Sequence, residues 1–412
     1  MTQTDSLWGQ GPGPDYEALA ARFRPVFAAI TDTGGRRERA HALPLNELSL
    51  LRESGLTRVR FARQDGGQDA TLPQLFNLII ELAEADSSIA QALRVHFAIV
   101  DDVLNLHDRD KRGRWAGRIS AGDLIAAGFT EPGEARAEEF STRLTETTAG
   151  LRLNGEKFYT TGALYADWID VAAAGADGKT IFALVRRDAP GVTVLDDWDG
   201  FGQTLSASGT ARFSDVEVAP EDLLIWEERF RYAPAFYQLY HLASLVGIGR
   251  ALVRDTVAEL SRRRRGFSHA LAPLPRHDGQ VLQVVGKLRA QVYAAQAIVL
   301  KAAEALERAH ATRFAGDEAA ETRANDIAEI ETAQAQSVVI DLILAASTSL
   351  FDALSASATR VGLGLDRHWR NARTLASHNP RIYKDRIIGD HVLNNTPPPY
   401  QWLPGIQKAA AE

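Results

Sequence analysis

Between Tyr16 and about Asp123 the apolar residues recur at positions i, i+3 and i+4, in "YEALAARFRPVFAAI", "PLNELSLLRESGL" and "LPQLFNLIIELAEADSSIAQALRVHFAIV". This spacing places the apolar side chains on one face of an α-helix. The segment "QDGGQDA" has the glycines and polar residues of a loop between two such helices. The pattern predicts an N-terminal α-helical domain over residues 1–123.

The period of the pattern changes after residue 123. Short alternating runs such as "STRLTETTAGLRLNGEKFYTTG" and "GTARFSDVEVAP" are rich in Val, Thr and aromatic residues and are broken by glycine-containing pairs, as in β-strands joined by turns. Helical spacing returns at Phe230 and continues to Thr359. The predicted fold is therefore α+β and mostly α. It has a central β-domain over 124–228 and a C-terminal helical bundle with a C-terminal active-site loop over 229–412.

The charge balance argues against a nucleic-acid-binding protein. The chain has 46 basic and 53 acidic residues and a formal net charge of -7. It has no long basic tract, so it lacks the electrostatic footprint of phosphate-backbone binding. The N-terminal "MTQTDSLWGQGPGPDY" lacks the features of a signal peptide, and no stretch of about 18 uncharged apolar residues occurs. We expect a cytoplasmic protein without a membrane partner.

The chain is almost free of sulfur, with no Cys and one Met, the initiator. Two explanations stay open. An Ala-, Arg- and Leu-rich chain from a GC-rich genome uses few sulfur residues, and a protein made in quantity during sulfur shortage benefits from containing none. In either case disulfides, thiolate nucleophiles and cysteine-ligated metals are excluded, and no metal site is predicted.

Two glycine pairs look like dinucleotide-binding motifs, "GIGRAL" at Gly247 and "GLGLDR" at Gly362. Neither follows a strand and opens a helix within a βαβ unit, and both lack a third glycine. We therefore expect Gly247 and Gly249 to allow close helix packing. The run "RRRR", Arg262 to Arg265, has two open interpretations: a solvated helix C-terminus or an arginine site for a phosphate or pyrophosphate.

The segments "TEPG" and "NGEKFYTTGALYADW" carry residues suited to a flat ring system. An isoalloxazine ring needs hydrogen bonds to its edge atoms and a flat aromatic or peptide surface beside it. Hydroxyl and aromatic side chains on adjacent predicted strands can supply both. These residues are Thr130, Tyr159, Thr160, Thr161 and Trp168.

Four motifs occur in order along this α-β-α chain: "TEPG", "NGEKFYTTG", the stretch from "SASGT" to "FSDVEVAP", and "RNAR" near the end. Together they resemble the acyl-CoA dehydrogenase fold over nearly the whole chain. The resemblance implies an N-terminal helical domain, a central β-barrel-like domain and a C-terminal four-helix bundle. It also implies a flavin held between these domains and a homotetramer.

Two departures weaken an acyl-CoA dehydrogenase function. The family's catalytic glutamate, which takes an α-proton from a thioester, is expected shortly after "RNAR", where this chain has Ser377, His378, Asn379 and Pro380. Some members carry that glutamate on another helix. The segment around "TEPGEARAEEF" is rich in carboxylates, which are a poor lining for anionic CoA. These carboxylates are Glu131, Glu134, Glu138 and Glu139.

The segments "KFYTTGALYADW", "DDWDGFGQTLSASGT" and "RNARTLASHNPRIYK" resemble the sulfur-acquisition oxidoreductases and dibenzothiophene monooxygenases, flavin-dependent monooxygenases of this fold. The resemblance implies that His96 and His378 flank the reactive face of the flavin, with His391 as a weaker third histidine. It places Thr160 or Thr161 near flavin N5, with Thr161 counted among the catalytic residues. Flavin-phosphate contacts and a pocket wall are implied for a further set: Ser206, Ser208, Thr210, Arg264 and Arg265 for the phosphate, and Trp198 for the wall.

The function expected from this resemblance is that of a two-component monooxygenase. Such an enzyme takes reduced flavin, FMNH2 or alternatively reduced FAD, from a separate NAD(P)H-dependent reductase. With O2 it oxygenates a small organosulfur compound through a C4a-hydroperoxyflavin, and a histidine titrating near neutrality handles the proton. Three alternatives stay open: an FAD-dependent acyl-CoA dehydrogenase with a relocated base, an oxygenase acting on nitrogen or an aromatic carbon, and a helical assembly protein that has lost flavin.

Overall fold

The structure, a computed structural model, describes residues 8–133 and 140–400. Helices form the described chain before the first strand, in agreement with the helical spacing of the apolar residues. A capping box begins the helix Leu72–Ala85. The Thr71 side chain accepts from the Gln74 backbone N–H, and the Gln74 side chain accepts from the Thr71 backbone N–H. The helices are α1 Tyr16–Ala21, α2 Arg24–Ala40, α3 Leu45–Ser54, α4 Leu72–Ala85, α5 Ser87–Ala92, α6 Arg94–Asn105 and α7 Arg109–Ser120.

Eight strands then form one mixed sheet in the order β6-β7-β3-β2-β4-β5-β8, with β1 paired to β4. Strands β5 and β7 contact each other although three strands separate them in the sheet, so the sheet curls towards a barrel. The strands are β1 Ile125–Gly128, β2 Arg143–Thr147, β3 Gly150–Lys157, β4 Trp168–Ala174, β5 Thr180–Arg186, β6 Val192–Val194, β7 Ala211–Val218 and β8 Leu223–Ile225.

The C-terminal region is helical again, and its three long helices α8, α9 and α10 pack on one another. Helix α4 of the N-terminal region also packs on α8 and α9, so one apolar core joins both helical regions and the inner face of the sheet. The predicted α+β fold, mostly α, is confirmed. The helices are α8 Ala233–Arg262, α9 Gly279–Thr312, α10 Glu318–Leu354, α11 Arg367–Ala376 and α12 Lys384–Asn394.

The first glycine pair serves helix packing, as predicted. A Cβ atom at Gly247 would lie 2.6 Å from the Ile80 carbonyl oxygen of α4, and one at Gly249 would lie 2.8 Å from Ile343 of α10. Both distances are too short for a side chain, so these glycines allow α8 to approach its two neighbours.

Helix α10 is long and apolar enough, by length and composition alone, to cross a membrane. It packs against α8 and α9, and residues such as Ile340, Ile343 and Leu350 are buried in the bundle core. A core helix of a soluble protein meets the same criteria of length and hydropathy.

Candidate active site

A chain of buried hydroxyl groups lies between the end of β3 and the loop before β7. The Thr161 Oγ1 lies 3.0 Å from the Ser208 Oγ, and the Ser208 Oγ lies 2.8 Å from the Ser206 Oγ. Next to them the Thr160 hydroxyl donates to the Gly209 carbonyl oxygen over 2.8 Å. The structure therefore brings together four residues that the sequence predicted for the flavin site.

The backbone around these hydroxyl groups is unusual. Tyr159, Gln203 and Ala207 have positive φ values of 59°, 54° and 53°, a region that residues with a Cβ rarely occupy. Each such residue costs on the order of 1–3 kcal/mol and persists where its surroundings hold it in place. Here the surrounding contacts include a hydrogen bond from the Gln203 N–H to the Asn371 Oδ1, 2.6 Å long. Strained backbone at three places around one cluster favours a binding site.

Aromatic rings lie on the open side of the cluster. The Tyr159 and Trp198 ring centroids are 5.8 Å apart, and Tyr159 is 51% exposed. The Trp198 indole N–H donates to the Gly202 carbonyl oxygen over 3.2 Å, which fixes the orientation of the ring. Half-exposed Thr130 ends the turn after β1, and its hydroxyl has no hydrogen-bond partner in the described chain. These residues can supply the flat surface and the edge contact predicted for them.

Two residues predicted for flavin binding have other roles. The Thr210 hydroxyl donates to the Asp197 carboxylate over 2.8 Å, so its hydrogen is used within the chain, whereas the hydroxyl groups of the alternatives Ser206 and Ser208 bond to each other. The Trp168 indole N–H donates to the Asp123 carboxylate over 2.8 Å, and its ring lies against Arg118. Trp168 therefore joins β4 to the α7 region.

Arg264 and Arg265 do not reach this cluster within one chain. Both follow the C-terminal end of α8, are exposed, and make no hydrogen bond or ion pair with other described residues. Their neighbour Arg263 bonds to Ser357, after α10. At 1.5 Å per residue, Arg263 lies about 33 Å farther along than His241, which is in the first third of the same helix. A flavin-phosphate contact from Arg264 or Arg265 stays a prediction.

A second cluster contains His378 and a histidine that the sequence reasoning missed. The ring centroids of His241, on α8, and His378, after α11, are 4.2 Å apart. His241 is buried, and neither ring nitrogen has a hydrogen-bond partner. His378 is exposed, and its Nδ1 lies 3.2 Å from the Asn379 Oδ1. The signal for His241 was a lone imidazole on an apolar helix face, in "YQLYHLASLV".

The pKa of both imidazoles of this cluster is lowered. The surrounding protein atoms and the positive charge of Arg94 lower the pKa of His378 to about 3. Burial, His378 and Arg94 together lower the pKa of His241 well below its usual value. Burial is the largest cause of both shifts, ahead of the Arg94 charge, and the expectation of a histidine titrating near neutrality stays a prediction. A neutral imidazole still has one N–H donor and one acceptor nitrogen.

Arg94, at the start of α6, was also missed. Its side chain is buried, its Nε has no hydrogen-bond partner, and its Cζ lies 5.0 Å from the centroid of the Tyr237 ring. It forms no ion pair with a described residue. Burial lowers its pKa, although an arginine keeps its charge at any ordinary pH. The signal in the sequence was one basic residue within the apolar run "QALRVHFAIV".

The two clusters meet at the junction of α5 and α6. The carbonyl oxygen of Ala92 lies only 2.4 Å from where a Cβ of Gly162 would be, beside Thr161. Two residues after Ala92, Arg94 begins α6, and the Tyr240 hydroxyl of α8 donates to the nearby Ala90 carbonyl oxygen over 2.8 Å. One short helix therefore joins the hydroxyl cluster of the β-region to the histidine cluster of the bundle.

His96 does not join either cluster. Its Nε2–H donates to the Thr57 carbonyl oxygen over 2.8 Å, and its Nδ1 accepts from the Ile125 N–H over 3.3 Å. The ring is fully buried, and burial lowers its pKa to about 4. With both ring nitrogens used, His96 has neither a free donor nor a free acceptor. In the described chain this imidazole joins α6 with the start of β1, and its role at the reactive face stays a prediction.

The "RNAR" motif on α11 holds the loop that carries the hydroxyl groups. Asn371 accepts from Gln203, as above, and donates to the Glu38 carboxylate over 3.2 Å. The Arg370 guanidinium donates to the Phe201 carbonyl oxygen over 2.9 Å. These contacts tie the loop after β6 to α2 and α11, so the motif positions this loop, and four residues separate the motif from His378.

Two further residues named in the sequence analysis, Glu131 and His391, have contacts in the described chain. Glu131 forms a salt bridge with buried Lys157 over 2.9 Å, and, although burial opposes it, the hydrogen bonds to this carboxylate lower the pKa of Glu131 to about 2. It therefore does not line an open pocket. The His391 Nδ1–H donates to the Thr396 carbonyl oxygen over 3.0 Å, as a loop hydrogen bond. Glu134, Glu138, Glu139 and residues 401–412 of the predicted C-terminal active-site loop lie outside the described residues.

Comparison with known proteins agrees with this geometry. Residues 239–380 match the family model "Acyl-CoA dehydrogenase, C-terminal domain". The chain is 25% identical to a probable FMNH2-dependent monooxygenase, SfnC, of Pseudomonas putida, over 93% of this chain and 97% of that one. It is also 25% identical to a dibenzothiophene monooxygenase of Rhodococcus erythropolis, over 91% and 92%. The FMN-bound structure of TdsC from Paenibacillus sp. A11-2 superimposes with a TM-score of 0.84 at 26% identity, covering 93% of this chain and 98% of that one.

The chain therefore has the acyl-CoA dehydrogenase fold. Within that fold its full-length relatives are flavin-dependent monooxygenases, so the predicted resemblance to this group is confirmed and favoured over the acyl-CoA dehydrogenase alternative.

Proposed function

We propose that this chain is the oxygenating component of a two-component flavin-dependent monooxygenase. Its co-substrates are reduced FMN and O2, and its substrate is a small organosulfur compound. The observation that carries the proposal is the His241–His378 pair, with ring centroids 4.2 Å apart and no described carboxylate in contact with either ring. Neutral imidazoles can move a proton between oxygen atoms, whereas thioester dehydrogenation uses a carboxylate base.

The residues at the meeting point of the two clusters fit a flavin. Thr161, Ser206 and Ser208 offer hydroxyl groups for the polar edge of a flat ring, and Tyr159 and Trp198 offer an aromatic surface. The relatives support FMN as the flavin, since one is a probable FMNH2-dependent monooxygenase and another was solved with FMN bound. Reduced FMN, when bound, supplies two electrons for the activation of O2.

The overall reaction balances as FMNH2 + O2 + substrate giving FMN + H2O + oxygenated substrate. One oxygen atom leaves as water and needs a proton. We assign delivery of this proton to the N–H of His378, which is exposed. The His241 imidazole beside it is a second ring that can carry a proton. Thr161 orients the reacting groups through its hydroxyl. Apolar neighbours on α8, such as Leu242 and Leu245, keep bulk water away.

A separate flavin reductase is proposed as the partner. The described chain has no nucleotide-binding βαβ unit, and the Gly247 region, which looked most like one, packs helices instead. We also propose a cytoplasmic homotetramer assembled through the C-terminal helices, where large apolar side chains are exposed. These are Leu282, Tyr293, Ile327, Val338, Val392 and Leu393.

The organosulfur substrate is supported by two independent observations. One relative is a dibenzothiophene monooxygenase. The chain itself contains no Cys and one Met, a composition that suits a protein made during sulfur shortage.

The proposal is tested by turnover with a flavin reductase, NADH, FMN and ¹⁸O2. Sulfides, sulfoxides, sulfones and sulfinates serve as substrates, and mass spectrometry follows the label. One ¹⁸O atom per product molecule is expected for at least one sulfur compound. Incorporation into none of them, together with bleaching of bound flavin by an acyl-CoA without oxygen, would establish the dehydrogenase alternative instead.

A further inference from the structure

Four arginines in the described chain are buried, and only one of them has no acidic partner. Arg37 pairs with Glu47 over 2.7 Å. Arg60 pairs with Asp101 over 3.1 Å, and Arg250 with Glu84 over 3.5 Å. Arg94 has no ion pair or hydrogen bond with a described residue. Burying a charge without a partner costs folding free energy. An anion from outside the described chain, bound to this guanidinium, would offset that cost.

The surroundings of Arg94 offer further donors to such an anion. The ring of Tyr237 covers one side of the guanidinium, 5.0 Å from its Cζ. Next to it His241 has two ring nitrogens without partners, both buried. His378 is exposed, and its ring lies against that of His241 with the two planes tilted by 41°. Guanidinium and imidazole N–H groups are both donors, and a guanidinium binds a two-oxygen anion with two parallel hydrogen bonds.

We propose that Arg94 is the specificity-determining residue of this site and binds the negatively charged group of a small organosulfur anion. This inference rests on the function proposed above. The anion site and the proton-handling pair are the same cluster, so the charged group and the reacting sulfur atom must lie together. A sulfinate, R–SO2⁻, meets that condition, because its sulfur carries both the charge-bearing oxygens and a lone pair.

The corresponding reaction is R–SO2⁻ + FMNH2 + O2 giving R–SO3⁻ + FMN + H2O. The sulfur atom loses two electrons as the new S–O bond forms, and FMNH2 loses the other two. A sulfonate has no lone pair on sulfur, so it can bind to Arg94 without being oxygenated at sulfur. This difference separates binding from turnover.

Isosteric pairs test the proposal, because replacing O⁻ by a methyl group removes the charge and keeps the shape. For binding, methanesulfonate is compared with dimethyl sulfone by calorimetry on the protein with oxidised FMN. For turnover, methanesulfinate is compared with dimethyl sulfoxide, and benzenesulfinate with methyl phenyl sulfoxide. We expect the anion of each pair to be preferred by about 10-fold to 100-fold, the usual strength of a charge-assisted hydrogen bond.

The variant Arg94→Gln should abolish this preference, and Arg94→Lys should retain part of it, because a lysine keeps the charge and loses the paired geometry. The control Arg360→Gln makes the same chemical change at an exposed arginine and should leave the preference intact. The melting temperature of Arg94→Gln should stay the same or rise, because an unpaired buried charge is removed. A purely structural arginine would lower it.

Equal affinity for both members of each pair, or a preference that survives in Arg94→Gln, overturns the proposal. Weakened FMN binding in Arg94→Gln with an unchanged preference also overturns it, since Arg94 would then serve the flavin. Label incorporation without any anion preference leaves the monooxygenase function standing and removes this inference. Anion preference without incorporation into any sulfur compound would leave Arg94 as an anion-binding residue and would remove the monooxygenase function.

Discussion

Two regions of the molecule place a histidine in the interior, and they use it in opposite ways. His96 has both ring nitrogens hydrogen-bonded, to the Thr57 carbonyl oxygen and the Ile125 N–H. His241 is also buried, yet neither of its ring nitrogens has a partner among the described residues, and the exposed His378 ring lies against it. A histidine whose hydrogen bonds are complete stabilises the fold, whereas one whose hydrogen bonds are missing is available to a ligand.

The same contrast separates the buried arginines. Arg60 and Arg94 are both buried, but Arg60 pairs with Asp101 while Arg94 faces two imidazoles. Arg94 and His96 are two residues apart on α6, yet the His96 ring has both of its nitrogens hydrogen-bonded and Arg94 has no ion pair with a described residue. Among the described residues, Arg94 and His241 differ from Arg60 and His96 in their missing partners, and not in burial or residue type.

The largest expected effect compares His96→Leu with His241→Leu. Loss of His96 leaves the Thr57 carbonyl oxygen and the Ile125 N–H unpaired in the core, at about 1–3 kcal/mol each. Loss of His241 removes no hydrogen bond of the free protein, so its free energy of unfolding should be unchanged or higher. Denaturant unfolding of both variants measures the difference, and equal destabilisation would erase the contrast between the two regions.

The next effect concerns the fraction of consumed O2 that is used to form oxygenated product. His378→Ala should lower the yield of oxygenated product about 100-fold and raise H2O2 release, because general acid–base residues contribute roughly 10²–10⁴-fold. The assay measures product and H2O2 per NADH consumed with the reductase present. His391→Ala is the matched control, since that imidazole bonds only to the Thr396 carbonyl oxygen in a loop. Unchanged coupling in His378→Ala would remove its proposed role.

The smallest effect is the pH dependence of stability that His96 contributes. Its pKa is lowered to about 4 in the folded protein by burial, against about 6.5 when unfolded. The unfolded state therefore binds one more proton between these values. Stability is complete above about pH 6.5 and falls by about 1.4 kcal/mol per pH unit as the pH decreases towards 4.

The variant His96→Gln isolates this contribution. Its free energy of unfolding should decrease less steeply between pH 6.5 and about 4 than that of the unchanged protein. Parallel curves would mean that His96 keeps an ordinary pKa in the folded state.

Much of the fold was predictable because its signals are local. Helical spacing, strand alternation and the "TEPG", "YTTG" and "RNAR" motifs predicted the order of elements and the resemblance, and Thr160, Thr161, Ser206 and Ser208 do lie together. The sequence predicts less about side chains whose contacts depend on distant neighbours. Thr210 was one of three alternatives for a phosphate contact, and in the structure its hydroxyl bonds to Asp197.

The sequence by itself determined the α-β-α fold, the resemblance to flavin-dependent monooxygenases and the absence of thiol chemistry. These properties follow from spacing, motifs and composition, which are read along the chain. Only the tertiary structure decided that His96 is a core residue and that Arg94, His241 and His378 form one cluster. Those three residues lie on different elements, and whether a buried donor has a partner depends on which elements pack against it.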